Sequence, residues 1–101
     1  MYIRIVHHWC KEERREDGIA LMHKTGETTS QAPGFIHRQI LANEEDAALL
    51  TSLTAWESKV AFEAFRASRP ASNHADPASP FERIAHESYS VVSSVGLDIG
   101  R

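Results

Sequence analysis

Pro33-Gly34-Phe35, then residues 36–42, and then Leu53-Thr54-Ala55-Trp56-Glu57-Ser58 with Ala61-Phe62 form the stretch that decides the fold. It reads as a turn, a strand, a second strand and a helix start, joined by short links. Pro fixes φ and Gly accepts the positive φ that other residues avoid, so the Pro33-Gly34 pair pins the turn. In the strand after it, Phe35, His37, Gln39 and Leu41 alternate with Ile36, Arg38, Ile40 and Ala42. Neither set is purely polar, so both faces of the sheet need cover. A chain of 101 residues is too short to supply both.

Working outward, residues 2–9 are rich in β-branched and aromatic side chains and read as a first strand. Ile3, Ile5, His7 and Trp9 form one face, assigned to the helices; Tyr2, Arg4, Val6 and His8 form the other. Residues 11–17 read as a charged connection, either irregular or already helical. A helix is expected from Ile19 to about Ser30, with Ile19, Met22, His23 and Gly26 at helical spacing, ending before Pro33. The second strand runs from about Gly34 to Asn43, a polar turn follows at 43–46, and residues 47–57 return as a third strand. Ser58 is a natural N-cap for a helix from Lys59 to about Ser68, with Ala61, Phe62, Phe65 and Val60 as its inward candidates. Residues 69–80, with their prolines, read as a long loop, and 87–95 as a fourth strand. The order is β-α-β-β-α-β. Right-handed crossovers put both helices on one sheet face. The other, carrying Tyr2, Val6, Phe35 or Ile36, and the small residues of the fourth strand, is then bare, and a second copy is its simplest cover.

A net charge of −3, with the basic residues dispersed, argues against nucleic acid or an anionic membrane as partner. The Lys11–Asp17 run alternates in sign and reads as a solvated surface. A lone cysteine forbids an intrachain disulfide and a multi-cysteine metal site, and fits a reducing, cytoplasmic setting. No apolar run is long enough to span a bilayer. The whole chain, 1–101, is expected to be one domain.

Pro33-Gly34-Phe35, Trp56-Glu57-Ser58, Ala61-Phe62, Ser68 and Ser79-Pro80 make the chain resemble the antibiotic biosynthesis monooxygenase-like domains of the dimeric α+β barrel superfamily. The resemblance spans roughly residues 2–95. It implies an α+β, ferredoxin-like protomer, a homodimer joined sheet to sheet, and a pocket between sheet and helices. It also implies oxygenation of small aromatic or quinol-type substrates by molecular oxygen without a cofactor, or, in one branch, haem degradation. The remaining alternative is a non-catalytic domain of the same fold whose pocket holds a small apolar molecule without turnover. In the haem-degrading branch a strand Asn, a helix Trp and a His beyond the helix carry the chemistry. Those positions fall at His7, Phe65 and near His74.

Within that frame His7 is the candidate base, able to take a phenolic proton from the substrate. His37 and His74 are candidate orienting groups, and Trp56, Phe62, Phe65 and Trp9 candidate substrate walls. His23 and His37 can face a common cavity, and His37 can pair with His7 if their strands are neighbours. A metal site would need a further ligand, and none stands at a suitable spacing, so no metal is expected. Arg38 and Arg66 could clamp an anionic group, although isolated arginines are usually surface charges. Ser58 is a cap, not a nucleophile, because no His–acid arrangement accompanies it. No phosphate loop or dinucleotide fingerprint is present.

Overall fold

The computed structural model describes residues 1–69 and 76–96. Strands β1 (Tyr2–Cys10), β2 (Phe35–Ala42), β3 (Leu49–Trp56) and β4 (Phe81–Ser90) alternate with helices α1 (Arg15–Thr29) and α2 (Lys59–Ala67) in the expected β-α-β-β-α-β order. The fold is α+β and ferredoxin-like, with one antiparallel sheet in the order β2-β3-β1-β4.

Two helix and strand starts fall earlier than the hydrophobic pattern alone suggests. α1 starts at Arg15, so the helical alternative for the charged connection holds and the helix begins ahead of the apolar spacing at Ile19. Arg14 Nε is held 2.7 Å from Asp17 across its first turn. Gly18 therefore lies inside the helix, where glycine ordinarily costs stability. Here the missing side chain has a use: a Cβ would meet Cys10 Sγ and the Phe81 ring, each at 2.9 Å. β4 runs over Phe81–Ser90, six residues earlier than the expected start at 87. Just past its last residue, Val91 N–H bonds to the Met1 carbonyl at 3.0 Å. Val92 and Val95 are fully exposed in spite of their strand propensity. Val60, expected as an inward candidate on α2, is also exposed.

The main correction concerns the phase of the sheet. The helices cover the row Tyr2, Arg4, Val6, His8 and Cys10, not the row of Ile5, His7 and Trp9. Tyr2 and Cys10 are buried, Tyr2 stacks on Phe62 of α2, and His8 packs on Phe81. Register carries the same phase across the sheet, since Tyr2 pairs with Trp56 and Arg4 with Thr54, while Arg38 pairs with Thr54 on the far side. The outward face holds Ile3, Ile5, His7, Trp9, Leu49, Leu53 and Tyr89, not Tyr2 and Val6. β1 is apolar on both faces, so its alternation alone cannot choose between the two phases.

The core beneath the helices is split. Cys10, Met22, Leu50 and Phe81 close one end, with Ile19, Ile40 and Ile84 packed on them. Tyr2, Trp56 and Phe62 close the other, with Phe35, Ala61 and Phe65 around them. α2 is pinned over this second end by its cap, where Ser58 Oγ accepts the Ala61 N–H at 3.1 Å. Between the two ends the sheet presents the small polar residues Ser52 and Thr54, and a cavity opens above them.

Candidate functional site

The cavity is about 570 Å³. Its floor is the sheet: Arg4, Val6 and His8 of β1, Ser52 and Thr54 of β3, Ile84 and His86 of β4, and Arg38 of β2. Phe62, Phe65, Arg66 and Arg69 come from α2 and the residues just after it, and Thr25 and Thr29 from α1. Trp56 sits at the corner, fully buried, with ring centroids 5.9 Å from Phe62 and 5.2 Å from Phe65. This is the usual make-up of a small-molecule site, apolar aromatic walls with a few polar groups converging on the space.

The charged groups are all arginines, and among the described residues no Asp or Glu lines the cavity. Arg4 lies 5.0 Å above the Phe62 ring and donates from Nη1 to Ser88 Oγ at 2.7 Å. Arg66 lies 5.7 Å from the same ring, and Arg69 5.2 Å from Phe65. These cation–π contacts hold flexible side chains near the opening. Arg38 is half-buried and reaches inward, donating from Nη1 to Thr54 Oγ1 at 3.2 Å and from Nη2 to the Met22 carbonyl at 3.4 Å. Its stem runs past Gly26 of α1, where a Cβ would lie 3.1 Å from Cδ and Nε. Burial, and then the Arg69 guanidinium, lower its pKa from the ordinary arginine value.

Of the expected site residues, Trp56, Phe62 and Phe65 line this cavity together. His7 and Trp9 do not, because they lie on the outward face. His7 Nδ1 is 2.9 Å from Thr51 Oγ1, and its Nε2 is 2.6 Å from Glu87 Oε1. Tyr89 Oη donates to Glu87 Oε2 at 2.8 Å, and Arg83 sits 3.7 Å over the Trp9 ring. His37 stands in the outward row of β2, opposite Ala55, and β3 separates it from β1, so it is no cross-strand partner of His7. His37 and His23 do border one common space, an open groove of about 620 Å³ between α1 and β2 that is separate from the aromatic cavity. His74 falls outside the described residues. Among the described residues no group of three or more His, Cys, Asp and Glu could hold a metal ion.

The cavity's own histidines are His8, half-buried, and His86, exposed at its rim. The alternation of β1 puts His8 on the face expected to be bare, and His86 lies one residue ahead of the expected fourth strand. Pairing Val6 with His86 supplies the missing signal.

The outward network has a pH consequence. Hydrogen bonds from His7 first, and then from Tyr89, lower the Glu87 pKa. A carboxyl group lowered on folding stabilises the native state above its unfolded pKa, about 4.3, and loses that contribution as pH falls through the folded value. The Tm of the parent is therefore expected to fall more steeply in acid than that of Glu87→Gln. Parallel Tm–pH curves for the two would show that the network contributes nothing to acid sensitivity.

A family model described as antibiotic biosynthesis monooxygenase matches residues 1–76. No curated protein matches the chain. Among solved structures, a Deinococcus radiodurans protein described as an antibiotic biosynthesis monooxygenase superposes with a TM-score of 0.79 at 13% identity, covering 97% of this chain and 99% of that one. SnoaB, a cofactor-independent oxygenase from Streptomyces nogalater, gives 0.77 at 14% identity over 95% and 98% of the two chains. The haem degrader MhuD of Mycobacterium tuberculosis, with two haems in its active site, gives 0.74 at 18% identity over 95% and 100%. At these identities the likeness establishes the fold.

Proposed function

The chain belongs to the antibiotic biosynthesis monooxygenase family, and from that premise we propose that it is a cofactor-independent monooxygenase acting on a small aromatic or quinol-type molecule. The observation that carries this reading is the aromatic-walled cavity with an imidazole at its floor. His8 takes the place first given to His7 as the base, because it faces the substrate space, and His86 at the rim passes the proton to solvent. Trp56, Phe62 and Phe65 hold the ring and exclude water.

The step balances without an outside reductant. The phenolic proton passes to His8, and the electron-rich phenolate reduces molecular oxygen. A carbon–oxygen bond then forms at an unsubstituted ring position. Cleavage of the resulting peroxide releases water and leaves a quinone, so one oxygen atom enters the product and one enters water. All four electrons come from the substrate. The aromatic walls keep water from the reacting ring, and the arginines around it favour the phenolate over the neutral phenol. The test is oxygen uptake with simple naphthols. If His8→Ala consumes oxygen as fast as the parent, His8 is not the base.

A second reading, haem binding, draws support from two imidazoles and a set of arginines in the same cavity. His8 or His86 would ligate the iron and the arginines would meet the propionates, the bound group supplying its own oxygen chemistry. Adding haemin and watching for a Soret shift that His8→Ala and His86→Ala abolish separates the two readings.

The reading includes a homodimer. Ile3, Ile5, Leu49 and Leu53 are half-exposed on a face that no described helix covers, and Leu41 and Tyr89 are 42% and 50% exposed. The polar groups there satisfy one another through the Thr51–His7–Glu87–Tyr89 chain, which lowers the cost of withdrawing them from water. A second copy applied face to face would cover both sheets at once. The parent is expected to sediment at twice the chain mass and Leu53→Lys as a single chain. A well-folded single-chain parent, even when concentrated, would remove the dimer. No described helix is long and apolar enough to cross a membrane. The buried Cys10, whose thiol pKa burial raises, suits a reducing cytoplasm.

A further inference from the structure

We propose that the cavity selects an aromatic acid, a planar phenol whose carboxylate sits on Arg38 while its ring lies against Trp56, Phe62 and Phe65. The inference rests on reading this cavity as the substrate site, and it names the class of molecule that site accepts.

The argument starts from charge. The chain as a whole is acidic at −3, yet Arg4, Arg38, Arg66 and Arg69 converge on one cavity that no described carboxylate lines. Surface arginines of this protein do find acids, as Arg14 finds Asp17 at 2.7 Å and Arg15 finds Glu16 at 3.8 Å. Among the described residues, none of the four cavity arginines has such a partner. A cation withdrawn from water without a counter-charge is costly, and arginine does not escape the cost by losing its proton. Arg38 bears the largest share, since its Nε is buried with no hydrogen-bond acceptor and its two other nitrogens meet only neutral oxygens at 3.2 and 3.4 Å. The glycine at position 26 leaves just enough room beside Cδ and Nε to keep the guanidinium where it is. A planar fork with spare N–H capacity at the edge of an aromatic slot matches a carboxylate attached to an aromatic ring. The three outer arginines, held on Phe62 and Phe65, add field without needing contact.

The test is calorimetric titration of the full chain with a hydroxynaphthoate, whose carboxylate lies beside the hydroxyl, and with its neutral carboxamide. The acid is expected to bind about tenfold or more tighter, the size of a charge-assisted hydrogen bond. Arg38→Gln should collapse that ratio, whereas Lys24→Gln, which removes the same charge from the exposed side of α1, should leave it intact. Should Arg38→Gln fail to fold, Arg69→Gln decides the matter, because Arg69 is exposed and its loss should shrink the ratio in the same direction. Equal binding of acid and amide, or a ratio untouched by the arginine substitutions, overturns the proposal. Inorganic phosphate displacing the acid as effectively as the acid displaces itself also overturns it, because the site would then take a free anion. Oxygen uptake is read separately. Arg38-dependent binding without uptake sinks the oxygenase reading and leaves the anion site standing. Uptake with α-naphthol and no preference for the acid does the reverse.

Discussion

Trp56→Ala is expected to lower the unfolding free energy by about 3–5 kcal/mol, the range for truncating a large buried aromatic. Trp56 is only 1% exposed and joins three aromatic neighbours, Phe35 at 6.1 Å, Phe62 at 5.9 Å and Phe65 at 5.2 Å. It ends β3 and stands directly opposite Tyr2, so it ties the sheet to α2 at one end of the split core. Because the other end is a separate cluster around Met22 and Leu50, the cavity left by alanine cannot be refilled from there. A domain of this size holds about 5–15 kcal/mol in total, so the loss is a large part of its stability. At roughly 4 °C or more per kcal/mol, Tm should fall by about 12 °C or more. Trp56→Phe keeps an aromatic face and should lose clearly less. A thermal melt at fixed protein concentration checks both, and a Trp56→Ala variant within 1 °C of the parent would contradict the packing described here.

Gly34→Val is the second large effect, expected at about 2–5 kcal/mol from two separable causes. The first is backbone: Gly34 has φ +86°, a region that β-branched residues avoid. The second is space: a Cβ at position 34 would lie 2.5 Å from Ala61 Cβ on α2. The turn cannot swing away cheaply, since the Gly34 carbonyl accepts the Glu57 N–H at 2.8 Å and so ties the start of β2 to the end of β3. A double-mutant cycle divides the two causes. Gly34→Ala combined with Ala61→Gly removes the clash and keeps the strained φ, so the pair should lose less than the sum of the two single changes. Strict additivity would show that the contact with Ala61 plays no part.

Both substitutions touch residues that the sequence itself marks out. Pro33-Gly34 announces a turn that needs positive φ, and Trp56-Glu57-Ser58 joins a strand end to a helix cap, so these elements were legible from local pattern. Trp56, Phe62 and Phe65 were legible as cavity walls for a similar reason, because Phe62 and Phe65 stand at helical spacing and Trp56 immediately precedes their helix. The base was not. His7 and His8 are adjacent on a strand with apolar residues in both rows, and choosing the wrong row exchanges the site for the outward face.

Element order and fold class follow from the sequence alone because turn, cap and periodicity are short-range properties of the chain. The face that meets the helices, the start of β4 and the company of Arg38 were decided only in three dimensions. Each depends on which distant backbone a strand bonds to, as Tyr2 bonds opposite Trp56 and Val6 opposite His86. The four arginines around the cavity come from positions 4, 38, 66 and 69, on two strands and at the end of one helix. No local pattern links them. Only the pairing of β1, β3 and β2, with α2 packed over them, brings their charges to one place, and that arrangement is fixed by long-range burial, not by propensity.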